Sequence, residues 1–313
     1  MMHWKLKAGI QNAVSLLPSQ SSYAAYFWLQ RHFGGLRKMN PVSRLSAGIE
    51  TWRRIQKLGY NPIGKTFFEV GTGRAPITPI AYWLMGATGT ITVDLNPYVK
   101  PGLVQESLQY MSDNRAEIQR LFGSLLDQQR LDDLLTLHGQ TDFRIGTLFD
   151  LCNIQYIAPG DAARTGLSHG SIDVHTSFNV FEHIPPGILG KILEEGNRII
   201  SDGGLFVHRI DYSDHFSHSD SSISPINFLQ YSDTEWDKYA DNRYMYMNRL
   251  RHDDFVNLFQ SAGQHILATE PTVHPPALDL LRGHHLKMDP RFGMKSEEVL
   301  ATTDSWIVSK KID

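Results

Sequence analysis

The sequence predicts an α/β fold: a mostly parallel sheet with helices on both faces, plus an N-terminal helical extension. Three observations predict it. Short apolar runs alternate with helical patterns, the order that builds parallel sheets covered on both sides. Glycines punctuate the ends of these runs, where a chain turns from strand to helix. The chain has 313 residues, 41% hydrophobic and 20% charged, enough for one large core with decorations.

Residues 1–60 carry nine Lys/Arg and a single acid, Glu50, a net +8 that leaves −11 on the rest. Trp4, Tyr23, Tyr26, Phe27, Trp28 and Phe33 interleave with this charge. The expected arrangement is a basic helical arm packed on an acidic body. The alternative is a peripheral contact with anionic lipid or a charged glycan. Within this region, Leu45, Ile49, Trp52, Ile55 and Leu58 recur at intervals of three and four. They predict a helix over 43–58, capped by Ser43 and stopped by Gly59.

The domain body is expected over 61–313. Strands are predicted at 66–70 (TFFEV), 89–95 (GTITVDL), 154–157, 172–177, 205–210, 264–269 and 306–309. Helices are predicted at 76–85, with Pro in the first turn, and at 114–137, 186–200 and 253–262. Residues 212–252 read as an insertion on the substrate side. There is no internal repeat and no low-complexity tract.

GYNPIGKTFFEVGTGRAPI, residues 59–77, holds two overlapping glycine signatures. Gly59 to Thr66 spells G-x-x-x-x-G-K-T. A phosphate loop needs a strand leading in and a helix opening at its Lys-Thr. Here a helix leads in and a strand follows, so this match is expected to be chance and Lys65 a strand-edge charge. The second signature, Gly71-Thr72-Gly73, follows a strand and precedes a helix. Glycines there let the backbone turn and approach a ligand. Asp94, ending the next strand, is placed to accept from ribose hydroxyls.

With these motifs in order, the chain resembles the class I S-adenosylmethionine-dependent methyltransferases, over roughly 67–263. FFEVGTGRAPI is similar to their first motif, ITVDLN to their second strand, YIAPGDAARTGLSHGSIDVHTSFNVFEHIPP to their third and fourth strands, and RIISDGGLFVHRID to the turn into the fifth. The chain departs at Ala75-Pro76, where the family often has a third glycine. The resemblance implies a Rossmann-like sheet, the cofactor S-adenosyl-L-methionine, and roles for named residues. Glu69 would meet the cationic amino acid end and Gly71 and Gly73 would give backbone access. Asp94, with Leu95 beside it, would take the ribose. Asp161 and Ala162 would lie at the adenine, and Asn179, followed by Phe181, at the methionine portion. His183 is expected to pack or cap.

The stretch HRIDYSDHFSHSD, 208–220, begins at the end of the fifth strand, where open α/β sheets place ligands. His215 is the first candidate general base and His208 the second, with Asp211 or Asp214 to orient them. The same residues admit a divalent metal, but their spacing matches no rigid motif and no metal ligands are assigned. Trp236, Tyr239, Tyr244, Tyr246, Asn248, Arg249 and Arg251 suit either a sugar-binding lid or a lid packed by its own aromatics.

The expected activity is O-methylation of a sugar, a glycolipid or polysaccharide, or a secondary-metabolite hydroxyl. The alternatives are methylation of RNA or protein, or a protein that binds the cofactor without turnover. A net charge of −3 leans against a nucleic-acid partner. Cys152 is the single cysteine, so no intrachain disulfide and no cysteine-based zinc cluster can form. A reducing, cytoplasmic setting fits, with peripheral membrane contact through residues 1–60 as the variant of it. Cys152 reads as a packed hydrophobe. The sequence sets no oligomeric state.

Overall fold

The computed structural model describes residues 3–139 and 142–312. Its centre is a seven-stranded sheet: β1 (Thr66–Val70), β2 (Gly89–Val93), β3 (Ile154–Ile157), β4 (Ile172–Phe178), β5 (Ile200–Asp211), β6 (Gln264–Val273) and β7 (Thr302–Lys311). The spatial order is β3-β2-β1-β4-β5-β7-β6. β1 to β5 run parallel, and β7 lies antiparallel between β5 and β6. The chain therefore builds outward from β1 through β2 to β3, then returns to add β4 on the other side of β1. That reversal opens a crevice at the carboxyl ends of β1 and β4, the place where sheets of this Rossmann-like type bind ligands.

Helices cover both faces, because the strands are apolar on both. Phe67 and Phe68 are adjacent and point to opposite sides. Phe67 joins a cluster with Trp52, Tyr82, Leu108 and Phe122. Phe68 joins one with Ile192, Leu193, Phe206 and Phe259. The first face is covered by α3 (Val42–Lys57), α4 (Ile77–Leu84), α5 (Pro101–Asp113), α6 (Arg115–Phe122), α7 (Gln128–Leu135) and α8 (Ile145–Cys152). The second is covered by α9 (Pro186–Ile199) and α11 (His252–Ser261). Gly48 of α3 lies so close to α4 that a Cβ there would come within 2.5 Å of the Ala81 methyl.

A third cluster sits beside the sheet. It gathers Trp4 and Ala8 of α1 (Trp4–Ser15), Trp236 of α10 (Asp233–Ala240), Leu281 of α12 (Pro275–Arg282) and Leu300 of α13 (Glu297–Ala301). α2 (Ser19–Phe33) follows α1 and runs over the carboxyl edge of the sheet.

The predicted strands are all present, with β5, β6 and β7 longer than expected. Three helical readings need correction. The run 114–137 is broken at Gly123, whose φ of 57° no helix accepts, and Asp127 caps a new helix after it. α5, α8, α10, α12 and α13 were not predicted. Ser43 is not a cap: α3 starts one residue earlier, where the Asn40 side chain accepts from the Val42 amide. The expected arm over 1–60 is also too long. α3 is built into the sheet's packing, and the arm proper is α1 and α2. That arm is packed on the body: the Trp4 amide donates to Asp220, the Lys7 amine to Ser219, and Arg31 pairs with Glu106.

Candidate active site

Glu69 sits one residue from the end of β1 and is buried. Its Oε2 accepts from the Thr92 hydroxyl at 2.7 Å, and the Thr72 hydroxyl extends the chain at 2.5 Å. Burial pushes the Glu69 carboxyl up to about 8, against the lowering effect of the Thr92 bond and of Arg44. Gly71 and Gly73 follow at φ of 88° and 72°, conformations that favour glycine. A Cβ on Gly71 would meet Val180 at 2.6 Å, so the loop after β1 touches the loop after β4.

Asp94 follows β2 and closes this unit. Its Oδ2 accepts from the Gly73 amide at 2.8 Å, tying the two strand ends together. Burial raises its carboxyl to about 7, partly offset by Gly73 and Thr72. Leu95, next in the chain, is 72% exposed at the rim. The loop after β3 comes alongside, its Gly160 amide donating to the Asp94 carbonyl. Asp161 is exposed there and accepts from the Ala163 amide at 2.9 Å, while Ala162 is buried against the second cluster. Asn179 has a φ of 55°, rare outside glycine, and its Oδ1 accepts from Arg209 at 2.7 Å. The structure thus gathers Glu69, Gly71, Gly73, Asp94 and Asp161 around one crevice. Asn179 and Val180 stand on its β4 side.

A cleft of about 770 Å³ lies next to Asp94, under α2. Tyr23, Phe27, Arg74, Asn96, Tyr98 and Lys100 line it. Lys65 belongs to the opposite edge of the sheet, paired with Asp173, and Thr66 opens a strand. The phosphate-loop spelling therefore has no helix N-terminus to offer a phosphate.

The histidines separate into two groups. His208 is fully buried, stacked on Phe181, with its Nδ1 2.7 Å from the Ser177 hydroxyl and its Nε2 3.3 Å from His175. Burial, then the neighbouring His175, holds it well below the usual histidine range. It is a core residue and cannot reach an acceptor, which corrects its candidacy as a base. Asp214 is likewise structural: it accepts from the Phe216 amide and the Asn227 side chain.

His215 faces Asp211, with Nε2 and Oδ2 3.5 Å apart, and His218 stands 3.9 Å from the same oxygen. Burial works to raise the Asp211 carboxyl, but His215 and the two Ser213 bonds outweigh it and hold it well below its ordinary value. His183 and Glu182 join from the end of β4. The His183 ring lies 4.8 Å from that of His215, and its Nε2 3.9 Å from Glu182. Glu182 and His183 were not singled out for chemistry in the sequence, where FEH gives no sign that it will meet residues 211–218.

The insertion disappoints the sugar-lid reading. Arg251 is buried and donates to the carbonyls of Tyr212, Leu300 and Thr302. Arg249 donates to those of Phe228 and Tyr231, and Asn248 to those of Phe181 and Ile184. Trp236 and Tyr239 pack on Trp4. Tyr244 stacks on Tyr26 of α2. These six side chains are engaged in packing on the arm and in holding backbone carbonyls.

No family model matches the chain, and no curated protein matches it. Solved structures do. An S-adenosylmethionine-dependent methyltransferase from Methanosarcina mazei shares 11% identity, over 82% of this chain and 97% of that one, with a TM-score of 0.44. Geranyl diphosphate C-methyltransferase from Streptomyces coelicolor A3(2), in complex with Mg2+, geranyl diphosphate and S-adenosyl-L-homocysteine, shares 11% over 84% and 78%, at 0.45. The [4+2]-cyclase SpnF shares 9% over 86% and 81%, at 0.46. Likeness at this level leaves the chemistry to be read from this chain's own residues.

Proposed function

We propose that the protein is an S-adenosylmethionine-dependent methyltransferase that acts on a hydroxyl group of a small-molecule or glycan acceptor. The observation that supports this most is the crevice at the β1/β4 reversal. There a buried Glu69, two glycines at positive φ and an Asp94 aimed at Gly73 meet in one place. These groups fit the cofactor. Glu69 is placed to meet its ammonium, a charge that would draw the buried carboxyl back to its ionised form. The glycines admit its body to the backbone, and Asp94 accepts from its ribose. Leu95, apolar and exposed, would be covered by a bound adenosine.

The bound cofactor supplies a methyl group on a positively charged sulfur, passed to the acceptor by in-line displacement. The protein's part is to align the acceptor oxygen and to keep water out, which α2 and the cleft beneath it serve. Removal of the acceptor proton falls to the cluster around His215, oriented by Asp211. The cleft of about 490 Å³ lined by Arg209, Asp211, Ser213 and His218 opens beside that cluster and suits a hydroxylated acceptor of modest size. Trp28 and Phe33, exposed on α2 close to Arg37 and Lys38, support a peripheral contact with an anionic surface through the arm.

Calorimetric titration of S-adenosylhomocysteine at pH 8, where Asp94 is ionised, tests the reading. Wild type binds, and Asp94→Ala binds roughly 10- to 100-fold more weakly, the cost of a lost charge-assisted hydrogen bond. ATP with magnesium does not bind. Absence of binding to folded wild type, or binding of ATP instead, would overturn the proposal.

A further inference from the structure

Glu182 is 2% exposed, and among the described residues no side chain hydrogen-bonds either of its carboxylate oxygens, which face only the backbone amides of Glu182 and Asp211. A buried carboxylate without side-chain partners is costly. Among the described residues the one nearby cation, Arg209, acts on Glu182 from a distance and spends its own hydrogen bonds on Asn179 and Asp304. The side chains around Glu182 are a set of imidazoles and a second carboxylate. Glu182, His183 and His215 bring ligand atoms within 4.8 Å of one another, and so do Asp211, His215 and His218. His215 is common to both trios, and among the described residues the partner nearest its Nε2 is Asp211 Oδ2, at 3.5 Å.

We infer that Glu182, His183 and His215 form a binding centre for one divalent transition-metal ion, with Asp211 and His218 beside His215 on its outer side, on the acceptor side of the proposed methyl-transfer site. The tautomer of His183 supports this. Its Nδ1 lies 2.8 Å from the Tyr246 carbonyl, which can only accept, so Nδ1 carries the proton. In the neutral ring Nε2 then holds a free lone pair, on the side of Glu182. This is the arrangement by which proteins orient a histidine ligand. Imidazole nitrogens with carboxylate oxygens select zinc, manganese or ferrous iron over magnesium or calcium. Ligands on a tetrahedral zinc stand about 3.4 Å apart, so the trio needs to draw in by about an ångström, within the reach of side-chain rotation.

The centre also has access. Asp211 and His218 line a cleft of about 490 Å³ that opens beside it. An acceptor hydroxyl entering there would meet the ion, which lowers its proton affinity. With the ion bound, the proton leaves to solvent and His215 is a ligand, which replaces the role of base proposed above for the metal-free cluster. This last step rests on the proposed methyl transfer; the centre itself does not.

The test uses the full chain stripped with EDTA. Zinc uptake is measured by equilibrium dialysis, and cobalt(II) is added separately to read coordination from its visible absorption. Wild type is expected to bind one zinc per chain. Glu182→Gln and His215→Ala should each weaken binding at least ~10-fold and lose the cobalt band. A variant of the exposed pair, His284→Ala with His285→Ala, should bind as wild type does. Circular dichroism checks folding, and His215→Ala, at a partly exposed position, serves if Glu182→Gln does not fold. No zinc on folded wild type, or equal binding in wild type and both site variants, overturns the centre. Parallel titration with S-adenosylhomocysteine separates the two ideas. Cofactor binding without zinc rejects the centre alone, and zinc binding without cofactor rejects the methyltransferase reading alone.

Discussion

Glu69 shows how a single residue couples the site to stability. Its carboxyl is raised in the folded protein to about 8 from an ordinary 4.5, chiefly by burial. A raised carboxyl leaves stability intact below pH 4.5 and erodes it as pH climbs towards 8, because only the unfolded chain ionises freely in that window. The loss is of the order of several kcal/mol. Glu69→Gln should therefore melt with a shallower fall than wild type between pH 5.5 and 8.5. Some slope will remain, since Asp94, raised to about 7, titrates in the same window. Thermal melts at both pH values decide it, and parallel slopes would mean that Glu69 is ionised in the folded state. The sequence pointed to Gly71, Gly73 and Asp94 through a local signal, glycines and an acid at strand ends, and to Glu69 through the family resemblance. It could not separate His208 from His215. Both are histidines in one polar stretch, and only the turn of β5 into the core puts the first among Phe181 and His175 and the second against Asp211.

At the scale of elements, the arm shows why a helix can be legible while its role is not. Its basic charge and aromatic content are plain in the sequence, yet both fit a membrane contact as well as a packed arm. Packing decided the case for α1: Trp4 is buried against Phe216, Trp236 and Tyr239. Burying one such ring is worth about 3–5 kcal/mol on truncation to Ala. Trp4→Ala should release α1, and trypsin should then cut at Lys5 and Lys7 much faster than in wild type, with a fall of several degrees in melting temperature. Unchanged cleavage would show that α1 is held by other contacts. α2 follows α1 in the chain and has contacts of its own, Arg31 with Glu106, Tyr26 on Tyr244 and Tyr23 edge-on to Tyr98 beside the cleft by Asp94. The helices α5 and α8 were missed for a different reason. Each lies between better-marked strands and is short or opens at a proline, so its few inward residues make a weak pattern.

For the whole molecule, the sheet order places the ends of β1, β2 and β4 together, so ligand binding should be felt by the entire fold. S-adenosylhomocysteine at about 100 times its Kd adds roughly 2.7 kcal/mol, a rise in melting temperature of about 5 °C for a protein of this size. ATP with magnesium should leave the melt unchanged, and a rise with ATP alone would revive the Lys65 loop. What the sequence determined by itself was local: alternation of strand and helix, glycines after β1, and the acid that follows β2. These follow from backbone sterics and side-chain period, which act over a few residues. Tertiary structure alone decided the antiparallel place of β7, the core position of His208, the closed packing of the 212–252 insertion, and the meeting of Glu182 with residues 211–218. Each depends on contacts between distant segments, whose energy comes from burial and charge compensation, and neither is written in the spacing of residues along a chain.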